Sequence, residues 1–511
     1  MASKHKDQII KELKALVGDE NFISDGQALQ AAQTSTYTTD RTILGIVKPD
    51  SVVQIQQVLK IARRDKIPVY TYSTGKNWGY GSRIPQTKGS LLIELSRMNK
   101  ILDYDEELGY VTIEPGVTQK QVYNFLEEHG GSYGISMTSS APDTSVMGNI
   151  CERGVGLGPY GFRSHYISNL EVVLPSGKCI HTGFGRFTNA KSADVYPEGL
   201  GPSFNDMFIQ SNYGIITKLT TYLVPMPTYS RHINIVVEAD GELSKYLNAI
   251  RKFNFYSNTR KVFSFATWLG ILLSEEQYPW HMTDNKTPLS VEAQEWLKEK
   301  HNVDYAWKGR IAIYGYTQQE IAAQIEYFDT LAKGLNGITI SPLYDKGALG
   351  AKPRPLSQSP YWRMRTVPPE IKNPDTDGCG LIRLSMAVPF RSSDITNVIK
   401  LMKDTLTQFK YEPFIEGHCV SERMAIVIAL IVFDRTMPGE NENALACHDM
   451  LLAQLAKSGY YPYRDNGRAM SLLAGSSDDY DDFQKIIKNA IDPDNIMSPG
   501  RYENQNARLN K

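Results

Sequence analysis

Apolar positions in the first part of the chain alternate between helical stripes and short runs of strand length. Ile9, Ile10, Leu13, Leu16 and Val17 share one helical face, so the chain begins with an amphipathic helix and not an apolar leader. Leu44-Gly-Ile-Val47 reads as a buried strand. Asp50 or Ser51 then caps a helix that begins after Pro49, with Val52, Ile55, Val58, Leu59 and Ala62 at helical spacing. Ile67–Tyr72 completes a βαβ unit, and Ser90–Leu95 is a further buried strand. Ile101–Tyr104 and Tyr110–Glu114 are predicted to pair, followed by a helix from Thr118 to about His129. Leu170–Leu174 and Lys178–Thr182 flank a Pro-Ser-Gly turn and predict a hairpin, and Gly214–Val224 continues the strand pattern. Beyond Pro225–Pro227 glycine thins out, and longer helical patterns alternate with strands up to about residue 458, which places a domain boundary there. The longest apolar run, Met424–Phe433, is too short to span a bilayer.

Glycine marks two further stretches. Tyr70-Thr-Tyr-Ser-Thr-Gly-Lys-Asn-Trp-Gly-Tyr-Gly81 leaves a strand and carries Gly75, Gly79 and Gly81, where backbone N–H groups can turn toward a ligand as an anion-binding nest. Ala141–Asn149 and Arg153–Gly161 form a second such region, and a long phosphorylated cofactor lying on the backbone is a reason to tolerate that much glycine. An ordinary Gly-rich loop is the alternative for either. Composition narrows the classes: 511 residues predict at least two domains, and a net charge of −1 with dispersed acids and bases shows no nucleic-acid or membrane footprint. Five scattered cysteines without CxxC spacing, and nine histidines without HExxH, predict neither a metal site nor a disulfide framework. A cytoplasmic location is the expectation.

Taken together, four segments resemble the flavoprotein family of vanillyl-alcohol oxidase and p-cresol methylhydroxylase. They are Thr74–Gly81, Gly148-Asn-Ile-Cys-Glu-Arg-Gly-Val-Gly156 with Pro159-Tyr-Gly161, Gln210–Lys218, and Asp492-Pro with Pro499-Gly-Arg501. The resemblance implies an α+β fold: a two-part FAD-binding domain built from both chain ends, residues 1–227 and 459–511, with an inserted cap (substrate) domain over 228–458. It implies FAD, held by Ser73, Thr74, Gly75, Lys76, Asn77, Trp78 and Gly79 of the first loop. Ser145, Met147, Gly148, Asn149, Glu152, Arg153, Gly154, Gly156, Pro159 and Tyr160 would follow from the second, with Gly214, Ile215, Ile216 and Arg501. It further implies that Tyr80, Tyr463 and Arg464 hold a phenol as phenolate. A free phenol titrates near ~10, and two hydroxyls with a guanidinium favour its charged form, from which hydride leaves the para-alkyl carbon for flavin N5 to give a quinone methide. A small phenolic substrate is therefore expected. The family also contains homodimers and members with a separate electron acceptor such as a c-type cytochrome; no CxxCH haem site is present in this sequence.

Three departures sharpen the expectation. The family's acid near flavin N5 is matched by Asp143, but a gapless alignment puts Ser140 there, and both stay open. The stretch Gly380–Pro389, where the family attaches flavin through His or Tyr, has neither, and Asn77 occupies the other attachment position, so the FAD is expected to be non-covalent. Leu157 stands for a family tyrosine and Met424–Phe433 is wholly aliphatic, which predicts a more apolar cavity and a bulkier substrate. A hydroxy acid, sugar or other non-phenolic alcohol on the same FAD fold is the alternative, as is a flavin subunit devoted to electron transfer.

Overall fold

The computed structural model describes residues 3–256, 263–345, 353, 356–472 and 478–503. Its N-terminal part carries two sheets. In the first, Ile43–Val47, Ser90–Glu94 and Val69–Tyr72 run parallel in that spatial order, with Phe22–Ile23 antiparallel on the outer edge. The helix Val52–Arg64 makes the crossover; Ser51 is the residue that caps it, accepting from the Gln54 N–H, and Ile55, Val58, Leu59 and Ala62 are buried. The N-terminal helix Ser3–Val17 buries Ile9, Leu13 and Val17 against the same core. The second sheet is antiparallel, in the order Ile101–Asp105, Tyr110–Ile113, Ile215–Tyr222, Ile167–Val173, Cys179–His181. Its helix Gln119–Glu128 starts at a Thr118–Gln121 capping box.

The end of the chain returns to this part. Ile496 O accepts from the Val69 N–H and Val69 O from the Ser498 N–H, both at 2.8 Å, so residues 496–498 run parallel beside the start of the strand that feeds the first Gly-rich loop. Lys488, buried on the helix Asp479–Ile491, locks the turn by donating to Met497 O and Asn212 O while paired with buried Asp492.

Between the two chain ends lies a nine-stranded antiparallel sheet whose first strand is Tyr229–Val237. Its far side runs Phe263–Thr267, Phe414–Cys419, Met424–Asp434, Cys379–Pro389, Tyr461–Arg464. The sheet thus takes in Arg464, six residues past the expected boundary at 458, because Ser385 pairs with Arg464 across its edge. One face is covered by the helices Ser392–Gln408 and Glu440–Lys457 through Ile382, Leu384, Met386, Val427, Ala429 and Ile431. The opposite face, carrying Leu381, Arg383 and Ser385 with Ile426 and Ile428, points toward the first Gly-rich loop. That two-sided burial explains why Met424–Phe433 is apolar throughout. No helix among the described residues is long and apolar enough to cross a membrane.

Candidate active site

Two adjoining cavities lie where the Gly-rich loops meet the large sheet. The first is a groove between the two N-terminal sheets and the returning chain end. Of the residues expected at a cofactor, Ser73, Thr74, Gly75, Lys76 and Asn77 line it, with Ser145, Met147, Gly148, Asn149 and Glu152 opposite and Gly214, Ile215, Ile216 and Arg501 closing it. Gly75 and Gly79 hold φ of 71° and 82°, a backbone that favours glycine, so the loop turns as a nest requires. At Gly148 a Cβ would lie 2.9 Å from Ser73 Oγ, which explains the missing side chain. Gly148 lies in a short helix, Val146–Cys151, capped by Ser145 Oγ accepting from the Gly148 N–H at 2.8 Å.

The groove asks for a polar guest. Thr71 Oγ1 and Ser211 Oγ on its wall are buried and have no partner among the described residues, a costly arrangement unless a bound group supplies one. FAD fits these residues: hydroxyls and turned N–H groups suit a pyrophosphate and ribose, and Ile215, Ile216 and Met147 offer an apolar wall. Arg501 is pinned at the groove by an ion pair with Glu152 and a 2.8 Å hydrogen bond to Tyr70 Oη. Tyr70, Gln210, Asn212 and Ser498 also line the groove and were not among the expected site residues; the first three lie in the stretches Tyr70–Gly81 and Gln210–Lys218 singled out in the sequence, while Ser498 is brought in by the chain return, which has no local signal.

Seven expected cofactor residues lie elsewhere. Gly154, Gly156 and Tyr160 line neither cavity. A Cβ at Gly154 would meet the Asn149 side chain and one at Gly156 the Ser136 carbonyl, so these glycines serve backbone packing, while Tyr160 stacks on Tyr166 at 4.0 Å. Arg153 and Pro159 face a separate surface cleft. Trp78 lines the second cavity, and Gly79 lies over the stem of Arg383.

The second cavity joins the first through Lys76, Asn77, Thr144, Asn149 and Arg464, which line both. At the junction Tyr80, Tyr463 and Arg464 come together from positions more than 380 residues apart along the chain. Arg464 is buried; its Nη2 donates to Asn77 Oδ1, its Nε has no partner among the described residues, and its Cζ lies 4.5 Å from the centre of the Tyr80 ring. The Tyr80 hydroxyl shares a short hydrogen bond with Ser385. Burial and the proximity of Tyr80 push the Tyr463 hydroxyl well above its usual range, with Arg464 and Arg383 pulling the other way. Behind them Arg163 is buried, donates to Asn149 Oδ1, and is pushed down to about 9 by burial and by the charge of Arg464. Arg464 has no ion pair among the described residues. The junction therefore holds concentrated positive charge and favours an anion.

Asp143 does not enter either cavity. It is exposed and paired with Lys76 at the rim, whereas Ser140 lines the second cavity. The wall expected to be wholly aliphatic is corrected too: only alternate residues, Ile426 and Ile428, face the cavity, as strand geometry requires. Beside them stand Arg383, Glu416 and His418, which sequence reasoning missed. Arg383 Nη1 donates to Glu416 Oε1 at 3.5 Å. His418 hydrogen-bonds Ser264 at 3.0 Å, and burial holds its imidazole below the ordinary range, hence neutral.

Comparisons with known proteins bear on the family and the fold. An FAD binding domain family matches residues 43–183. A 1'-carboxy-chondrochloren decarboxylase of Chondromyces crocatus is 34% identical over 532 residues, 98% of each chain. The flavoprotein subunit of 4-cresol dehydrogenase (hydroxylating) of Pseudomonas putida is 28% identical over 511 residues, 96% of this chain and 94% of that one. Among solved structures, substrate-bound p-cresol methylhydroxylase superposes with a TM-score of 0.88 at 26% identity, covering 99% of this chain and 98% of that one. The 4-ethylphenol oxidase of Gulosibacter chungangensis, as its isoeugenol complex, gives 0.87 at 22% identity over 99% of both chains.

Proposed function

The chain belongs to the FAD-dependent oxidoreductases of the p-cresol methylhydroxylase type, and from that premise we propose that it oxidises a para-substituted phenol. One observation carries this reading: Tyr80, Tyr463 and Arg464 converge where the substrate-sized cavity meets the FAD groove. A phenol oxygen placed among them meets two hydroxyls and a guanidinium, with Arg163 behind, and these favour the phenolate. The ionised oxygen pushes electrons through the ring and weakens the C–H bond at the para-benzylic carbon. Hydride leaves, and the ring becomes a quinone methide. FAD supplies the two-electron acceptor. Burial of the junction keeps bulk water from competing for the phenolate. Water entering at the benzylic carbon then gives an alcohol, or a hydroxyl already there collapses to a carbonyl.

A second fate of the quinone methide is favoured by the full-length likeness to a decarboxylase. Where a carboxylate stands on the carbon next to the benzylic one, the bond to it breaks and CO2 leaves. The electron pair then forms a styrenyl double bond and restores the aromatic phenolate. No further oxidant is needed beyond FAD.

Both fates are tested by anaerobic mixing of the yellow holoenzyme with 4-ethylphenol, 4-hydroxybenzyl alcohol, 3-(4-hydroxyphenyl)propanoate and their O-methyl ethers. Bleaching of the flavin by free phenols and not by the ethers is expected, with CO2 released from the propanoate in step with bleaching. If dithionite bleaches the flavin and no phenol does, the phenolic substrate is wrong and non-phenolic alcohols take its place.

A further inference from the structure

We propose that Arg383 is a carboxylate-binding subsite, so that the substrate class is a para-substituted phenol whose side chain carries a carboxylate. This rests on the phenol reading above and extends it. Arg383 and Ser385 lie two residues apart on one face of the strand Cys379–Pro389, and Ser385 is tied to the Tyr80 hydroxyl. The two side chains therefore start about 7 Å apart along the strand, within the span of a substituted phenol.

The stem of Arg383 is fixed and its head is not. Its backbone N–H donates to Gly79 O at 3.0 Å, and a Cβ on Gly79 would lie 2.7 Å from Arg383 Cγ, so the aliphatic stem is clamped under the loop. The guanidinium makes one hydrogen bond, the 3.5 Å contact to Glu416, well beyond the ~2.7–2.9 Å of a good charge-assisted bond. Its other N–H groups have no partner among the described residues, and a quarter of the side chain is exposed to the cavity it lines. A structural ion pair would close to shorter contacts, as Arg363 does with Glu412 in the same domain, where Nε at 3.1 Å and Nη2 at 2.9 Å both donate to Oε2.

Charge points the same way. Lys76 is paired with Asp143, and Arg383 is loosely matched by Glu416, while Arg464, which lines the cavity, has no ion pair among the described residues. A phenolate offsets Arg464, and a carboxylate on the same molecule meets in Arg383 a guanidinium held by a single long contact. Neutral His418 leaves that balance unchanged. Glu416 then holds the empty guanidinium in place and yields it to the incoming carboxylate.

Equilibrium binding tests the assignment without turnover. Holoenzyme is titrated with 4-hydroxycinnamate and with 4-hydroxycinnamamide, which share a ring and have no benzylic hydride to lose, while the flavin absorbance is followed. The acid is expected to bind about 10- to 100-fold tighter than the amide. Arg383→Gln should collapse that ratio toward one, Arg383→Lys should keep part of it, and Glu416→Gln should raise it. The last change has the opposite sign, which no general damage to the fold produces. An acid-to-amide ratio near one in the wild-type protein, or a ratio that survives Arg383→Gln, overturns the subsite. If 4-ethylphenol still bleaches the flavin in that case, the phenol reading stands and Arg383 alone is reassigned. If no phenol bleaches or perturbs it, both fall together.

Discussion

Asp465, the residue after Arg464, supplies a pH dependence that can be worked out from its surroundings. It is 7% exposed; Oδ1 accepts from the Asn466 N–H at 2.8 Å, and Oδ2 is buried without a partner among the described residues. Burial pushes its carboxyl up from 3.8 to about 7, against the weaker downward pull of the Asn466 N–H. The folded-state value lies above the unfolded one, so the stability this group allows is fully present below about pH 4. It is lost as pH rises through 7, because the folded protein holds a proton that the unfolded chain has released. Each pH unit in that window costs about 1.4 kcal/mol, and the whole shift about 4 kcal/mol. Asp465→Asn cannot ionise, so its stability advantage over the wild type should widen by about 3 kcal/mol between pH 5 and pH 8. With an unfolding entropy of ~2.1 cal/mol/K per residue, a chain of this length gains about 3 °C in Tm over the same interval. Scanning calorimetry of both proteins at fixed free FAD reads this directly, since ligand concentration also moves Tm. Melting temperatures that run parallel from pH 5 to pH 8 would refute the assignment of a buried, unpaired carboxyl at this position.

Two further outcomes are expected. Arg464→Ala should slow flavin reduction by 4-ethylphenol about 100-fold or more in anaerobic stopped flow, since it removes a buried cation facing a developing anion; an unchanged rate would take Arg464 out of the phenol site. Precipitation with trichloroacetic acid should leave the flavin in the supernatant, because neither Asn77 nor the stretch Gly380–Pro389 offers a His or Tyr for attachment; a yellow pellet would reverse that expectation.

The local pattern was enough for the elements themselves. Ser51 before the stripe of Ile55, Val58, Leu59 and Ala62, the Thr118–Gln121 box, and the turn between Ile167–Val173 and Cys179–His181 are set by hydrogen bonds and burial within a few residues. Such features are written in the chain at the spacing where they act. The same holds for Gly75 and Gly79, whose positive φ is a property of the loop itself. Tertiary structure decided everything that depends on which strands become neighbours. Pairing of Phe414–Cys419 with Met424–Asp434 puts Glu416 opposite Ile428 and His418 opposite Ile426, which brings both polar side chains into a cavity that the sequence of one strand made look aliphatic. Asp143 and Ser140 differ by three positions, yet only the fold turns Ser140 inward and leaves Asp143 on Lys76 at the surface. Periodicity tells which face of an element is buried; it carries no information about what the other side of the interface contributes, because that is fixed by long-range pairing registers and not by neighbours along the chain.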